Sequence, residues 1–562
     1  VLVVNKFSFV LAAAVLLAPL VAKPAAVQAA EPTPVAVVSL AGYDALLSDV
    51  ELVGDMIGAP ELKQSIEGLI GIFTQFKGLA GLAKDKPIGA AVLLSEEGQP
   101  SGFVFLPVSD LDKLLEVFQD TLITKTEELD DDFISLEFKG GKDVIAKKSG
   151  DWAFISMKKE FLSDLPADPS KLLGDLPKSY DAAVKVIVAN VPEPLMDMAI
   201  SQMRMGAEQA MQRAAEENPE AAEVQKALTE GYLEMMTEAI KDLDSYTVGF
   251  AVDDKTRSAY LDVTALMKDG SKLAEQVSKS AAEGKPSKLP GLADAMRIFN
   301  FHINAPVMED EIEAVLDLIE QGRETVATKI KEEIADAEGQ KVVTDLVNDV
   351  FDVVEATIED GQINGGAVIT GDGPFSVVIG AKVVDGETID DVLKRAAKLA
   401  ENEADFPEIE WDAEEKAGLT FHIVTLPPFP EEDKEGFEEF FGSEEASLAI
   451  GISDEVLMLS IGADPVAAAT EVLGKKSGAK NLPLMQAQLK VGPLMKVAAK
   501  QVGDEQPMVA ALAEEMLKSK KDHLNLTATL IKNGERVRFE IEEGIISSIG
   551  KVGMMAAKKG GR

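Results

Sequence analysis

No cysteine occurs anywhere in this chain of 562 residues. That absence excludes disulfides, thiolate catalysis, cysteine-ligated metals and a lipid anchor attached through cysteine. A chain this long can bury a core large enough to do without them. Histidine is nearly as scarce, at His302, His422 and His523. No two of these are spaced as metal ligands, and no His-Glu-x-x-His helix exists. Their contexts, Phe-His-Ile twice and Asp-His-Leu once, place them in or beside strands. There is no Gly-x-Ser-x-Gly elbow, so Ser149 and Ser453 read as turn serines that hydrogen-bond the backbone. Walker loops, Gly-x-Gly-x-x-Gly fingerprints and EF-hand loops are also missing. No catalytic residue, cofactor or metal is expected from these patterns.

Positive charge is in short supply too: 55 basic against 97 acidic side chains leave a formal charge of −42. With two tryptophans and five tyrosines there is no basic stripe interleaved with aromatics. Nucleic acid is therefore excluded as a partner, because the overall field repels phosphate. Acid-dense runs at 127–132 and 431–433 read as solvated loops, and the stretch from Pro427 to Glu445 reads as an acidic insertion. Near the C-terminus, Lys551, Lys558, Lys559 and Arg562 reverse this balance locally and read as basic residues at a helix end.

Long apolar runs are equally rare. The one at 7–21, preceded by Lys6, is shorter than the roughly 20 residues a membrane span needs. Followed by Val27-Gln28-Ala29-Ala30, it has the layout of a secretory signal peptide covering residues 1–29, cleaved after Ala29 or, failing that, after Ala30. The expected product is an exported protein of the periplasm or cell surface, with no transmembrane segment in the mature chain.

What is present in abundance is repetition. A strand, a turn, a second strand and a helix follow one another at 88–94 and 102–106 with a helix opened by Ser109-Asp110. The unit returns at 246–252 and 258–264, at 366–370 and 375–384, and at 524–531 and 536–541 around Asn533-Gly534. A second signature, Val191-Pro192-Glu193-Pro194-Leu195-Met196, matches Val491-Gly492-Pro493-Leu494-Met495, with Asn304-Ala305-Pro306-Val307-Met308 a looser form. Proline is tolerated in a first helical turn, so these read as strand-to-helix joints. Amphipathic spacing predicts helical pairs at 196–215 with 221–242 and at 308–335 with 340–359.

The expected fold is α+β: a tandem duplication of antiparallel β-hairpin–helix units, in halves 34–290 and 297–557, with sheets covered by helices on one face. Gly284 to Pro290 reads as the linker. Methionines crowd one helix, and spacings of seven set Met196 with Met203 beside Met198 with Met205, two stripes wide enough for an apolar groove as well as for core packing. Three functions are compatible with these residues. The first is a non-enzymatic binding or structural scaffold whose partner is an envelope protein, polymer or lipid. The second is a carrier of a lipid-like ligand between curved sheets and helices, and the third is an envelope hydrolase working with carboxylates alone.

Overall fold

The computed structural model describes residues 33–560, apart from 95–98, 120, 131, 218–232, 234–235, 295–297, 308, 372–373, 402–405, 427–430, 444–446, 475–481 and 503–506. The leader-like segment with Ala29 and Ala30 lies outside the described residues, as does most of the helix expected at 221–242.

Twenty strands form one sheet. They are β1 (Thr33–Leu40), β2 (Ile88–Leu94), β3 (Pro100–Pro107), β4 (Ile123–Glu128), β5 (Phe133–Phe138), β6 (Lys142–Ser149), β7 (Trp152–Ser156), β8 (Ala182–Val186), β9 (Leu243–Asp253) and β10 (Ser258–Met267). The rest are β11 (Phe299–Pro306), β12 (Gln362–Thr370), β13 (Ser376–Lys382), β14 (Ile409–Lys416), β15 (Leu419–Thr425), β16 (Ser447–Ser453), β17 (Val456–Gly462), β18 (Met485–Lys490), β19 (His523–Ile531) and β20 (Gly534–Glu542). Every pairing between two of these strands is antiparallel. The spatial order runs β4-β5-β6-β7-β3-β2-β1-β8-β9-β10, crosses to β20, and continues β19-β18-β11-β12-β13-β17-β16-β15-β14. The sheet is thus a single surface rather than several.

Local chemistry explains the repeated hairpin–helix steps. In the β19–β20 turn Asn533 takes a left-handed backbone with φ 57°. Three of the helices that follow hairpins begin at side-chain caps. Asp110 accepts the Lys113 N–H before Leu111–Phe118, Ser271 that of Ala274 before Lys272–Glu283, and Asp385 that of Thr388 before Gly386–Ala400. The helical pair after β11 runs Glu309–Glu333 and Ala337–Glu359. Pro306 is the last residue of β11 and Met308 lies outside the described residues, so the looser Pro-Val-Met signature belongs to a strand end, not to a first helical turn.

Directly paired residues of an antiparallel sheet point to the same side, which defines a Leu261 face and an Asp262 face. Helices cover parts of both, against the expectation of one covered face. Pro465–Gly474 packs on the Asp262 face over Met458, Phe421 and Val378, while Gly386–Ala400 reaches His422 on the other face through Asp390. At the opposite end of the sheet, Phe105, Phe154, Phe103 and Trp152 form an aromatic core with Leu162 and Leu173. The acidic insertion is likewise no simple loop. Glu431–Phe441 is a helix, because Phe437, Phe440 and Phe441 recur on one side and Phe440 packs on Phe375. Among the described residues no helix is long and apolar enough to cross a membrane.

The stretch read as a linker is held down. Ser287 Oγ accepts the Leu289 N–H (3.0 Å) and an Asn364 Nδ2–H (2.9 Å), and Asn364 Oδ1 accepts the Lys288 N–H (2.7 Å). Leu289 and Leu292 are buried over Gly380.

Candidate functional site

The central strands divide their chemistry sharply between the two faces. One register rung on the first face runs Leu40, Ala182, Phe250, Leu261, Phe539, Leu526, Ala487, Phe301, Ala367, Ile379, Leu459 and Ile450, from β1 to β16 without a polar side chain. Val38 and Val184 extend it by a second row. The neighbouring rung on the other face runs Asp262, Arg538, Thr527, Gln486 and His302.

A half-covered antiparallel sheet normally turns its polar rung to water. Here the apolar rung is the one left open: Leu261 is 40% exposed, and Leu40, Phe250, Phe539, Ile379, Val38 and Val184 are exposed with it. At one margin Met196, in the first turn of the helix Glu193–Glu217, packs against a buried cluster that includes Val186 and Tyr246, as do Val248 and Val263. A crevice of ≈ 290 Å³ lies among Val326, Leu346, Val347, Val350, Phe351 and Val392, between the helices Glu309–Glu333, Ala337–Glu359 and Gly386–Ala400. Its lining side chains are all apolar.

The Asp262 rung holds a charge pair whose carboxylate is buried. Asp262, 1% exposed, accepts two hydrogen bonds from Arg538, at 2.7 Å from Nε and 2.8 Å from Nη2. The guanidinium stacks 3.7 Å over the Tyr260 ring, and the Tyr180 hydroxyl donates to Asp262 at 3.2 Å. Burial and then the Asp262 charge push the Tyr180 phenol up to about 12. Tyr180 reaches this position because Gly249 beneath its ring carries no Cβ.

Three other clusters carry groups capable of chemistry. In the first, Asp390, Asp412 and His422 bring ligand atoms within 4.8 Å of one another. The Asp412 backbone N–H donates to His422 Nδ1 (3.0 Å), which fixes a proton on Nε2, and that proton goes to Asp390 (2.8 Å). Lys394 donates to Asp390 at 3.1 Å and to Asp412 at 3.0 Å. Both imidazole nitrogens are engaged and an ammonium bridges the carboxylates, so the cluster works as an ion-pair latch between the Gly386–Ala400 helix and β14–β15.

The second cluster places Ser287 Oγ 3.1 Å from His302 Nε2 beside a cleft of ≈ 470 Å³ lined by Lys285, Lys288, Lys382, Asp360, Gln362 and Glu455. Two donors already occupy the Ser287 lone pairs, and no described acid orients His302 Nδ1. Burial pushes His302 down to about 4, so it is neutral at ordinary pH. The lysines are matched by carboxylates: Lys285 and Lys382 by Asp360, Lys288 by Glu455. A poised nucleophile needs a free lone pair and an oriented base, and this serine has neither. The third is a carboxyl pair, Asp49 with Asp181, whose effect falls on stability.

No family model, no curated protein and no solved structure matches the chain.

The methionines read from the sequence divide by face. Met196 and Met203 are half-buried, whereas Met198 and Met205 are exposed on the outer side of their helix. Of the four, Met196 packs against the cluster at the apolar sheet margin. Sequence reading missed the Leu261 rung itself. Its signal was the unbroken alternation in β10 (Ala259, Leu261, Val263, Ala265) and β20 (Val537, Phe539, Ile541), which says that one side is apolar but not that the two strands adjoin.

Proposed function

We propose that this chain is an exported, non-enzymatic binding scaffold whose Leu261 face takes up an apolar chain such as a lipid tail. The continuous apolar rung from Leu40 to Ile450 carries this reading. Apolar side chains in register across adjoining strands offer an extended surface with no polar group to strand against a hydrocarbon. The helix bearing Met196 at its margin suits ligands of varied shape, because thioether side chains repack readily. Export is supported by the leader-like layout of residues 1–29. A tandem duplication accounts most simply for the pairing order, since the order of β11 to β20 is that of β1 to β10 with ten added to each strand number. The seam between the two runs, β10 against β20, then lies at the middle of the binding face.

The reading is tested by titrating the full chain with a fluorescent polyene fatty acid. Saturable binding is expected, and Leu261→Asp is expected to weaken it by about tenfold or more, since a carboxylate stranded against hydrocarbon costs at least 1.4 kcal/mol. Phe539→Ser provides a milder variant at the paired position. If neither variant changes the titration while far-ultraviolet dichroism shows both folded, the face is not the binding surface.

A further inference from the structure

The helix Leu62–Phe73 has no buried residue along its whole length. Leu62, Ile66 and Ile70 are half-buried, yet Leu69, Ile72 and Phe73 are 52%, 63% and 68% exposed, and Phe76 beyond the helix is 83% exposed. Leu69, Ile72 and Phe73 stand three and four residues apart on the helix, and the Phe76 ring lies beside Gly71, so that four apolar side chains are exposed around the helix end. Phe76 is held there by the helix end. Its N–H donates to Gly71 O and that of Gln75 to Ile72 O, a closing pattern in which the left-handed position is usually glycine. Here Gln75 (φ 50°) and Phe76 (φ 63°) both adopt it, while buried Thr74 bonds back to Ile70 O at 2.7 Å.

Charge and size say what the patch meets. From Gly68 to Lys84 there is no acidic residue, in a chain with 97 of them, and Lys77, next to Phe76, is exposed, its ammonium donating to Glu116 O at 2.8 Å. The four side chains expose on the order of 500 Å², below the roughly 800 Å² per partner of a standard protein interface. A small apolar patch free of acidic residues and beside Lys77, on a protein otherwise charged against anionic surfaces, has the character of an interfacial membrane segment. We infer that Leu69, Ile72, Phe73 and Phe76 form a wedge that seats this protein on a lipid bilayer surface. The wedge is independent of whether the Leu261 face holds a ligand.

The test is flotation of the full chain with phosphatidylcholine vesicles carrying a minority of phosphatidylglycerol. The wild type is expected to float with the vesicles, and Phe73→Ser/Phe76→Ser to lose at least about tenfold in partitioning with an unchanged melting profile, because both side chains are exposed. Phe76→Trp reports seating directly: its emission is expected to shift to the blue on adding vesicles. Equal flotation of wild type and double variant would overturn the inference, as would a Phe76→Trp spectrum indifferent to vesicles. So would a wild type that fails to float but dimerises in sedimentation through these phenylalanines, an outcome that assigns the patch to a second copy of the chain.

Discussion

Replacing Arg538 by methionine is expected to destabilise the protein by about 3–5 kcal/mol at neutral pH, measured as a loss in urea unfolding. The magnitude follows from what is left behind. Methionine preserves the length of the stem and its packing on Tyr260, but Asp262 stays buried with its two strongest hydrogen bonds gone and only the Tyr180 hydroxyl facing it. A buried carboxylate stripped of these partners is costly. Arg538→Lys is expected to rescue little, because an ammonium cannot make the paired bonds of the guanidinium. Asp262→Asn combined with Arg538→Met removes the stranded charge and is expected to recover most of the stability. A loss below about 1 kcal/mol in the single variant, the value of an ordinary surface pair, would sink the claim that this pair locks β10 to β20.

The same pair shows what a sequence of this kind reveals and what it hides. Asn533-Gly534 and the alternating residues around it announce a hairpin, and Ser271 and Asp385 announce the helices that follow hairpins, because these signals act over a few residues. Nothing local tells Asp262 that its partner is Arg538. The bond joins strands far apart in the chain, and the order of the sheet follows from such pairings. The acidic run at 431–433 misled for a related reason. Its charge suggested a loop, while the helix is decided by phenylalanines at 437, 440 and 441 finding Phe375, a contact in space. The apolar rung was half legible: each strand's alternation could be read, but only the register from β1 to β16 turns separate apolar sides into one surface. The wedge at Leu69 to Phe76 had a readable spacing, yet amphipathic spacing alone does not say which side faces the protein.

Asp49→Asn is expected to stabilise the protein by about 2 kcal/mol at pH 8 and to change little at pH 4. Asp49 lies in the helix Tyr43–Ile57, and its Oδ2 is buried without a partner among the described residues. Facing it is Asp181, just before β8, whose Oδ2 accepts the Val252 N–H at 2.8 Å, and Asp254 in the β9–β10 turn adds a further negative charge. Burial, then the Asp181 carboxylate, push Asp49 up to about 7 from an ordinary value of 3.8. In its neutral form Asp49 donates a proton to Asp181; ionised, the two repel. A carboxyl whose pKa is raised by folding opposes the fold when it ionises. Its penalty is therefore absent below about pH 4, grows as pH rises from 4 to 7, and is complete above 7. The full shift corresponds to about 4 kcal/mol, and solvent around the half-buried pair reduces this to about half. Asparagine keeps a donor toward Asp181 and cannot ionise, so the gain over wild type should appear with rising pH and level off near pH 8. Urea midpoints of both proteins at pH 5 and pH 8 measure it: a difference independent of pH removes the shared proton, whereas one that grows between them locates it at Asp49 and Asp181.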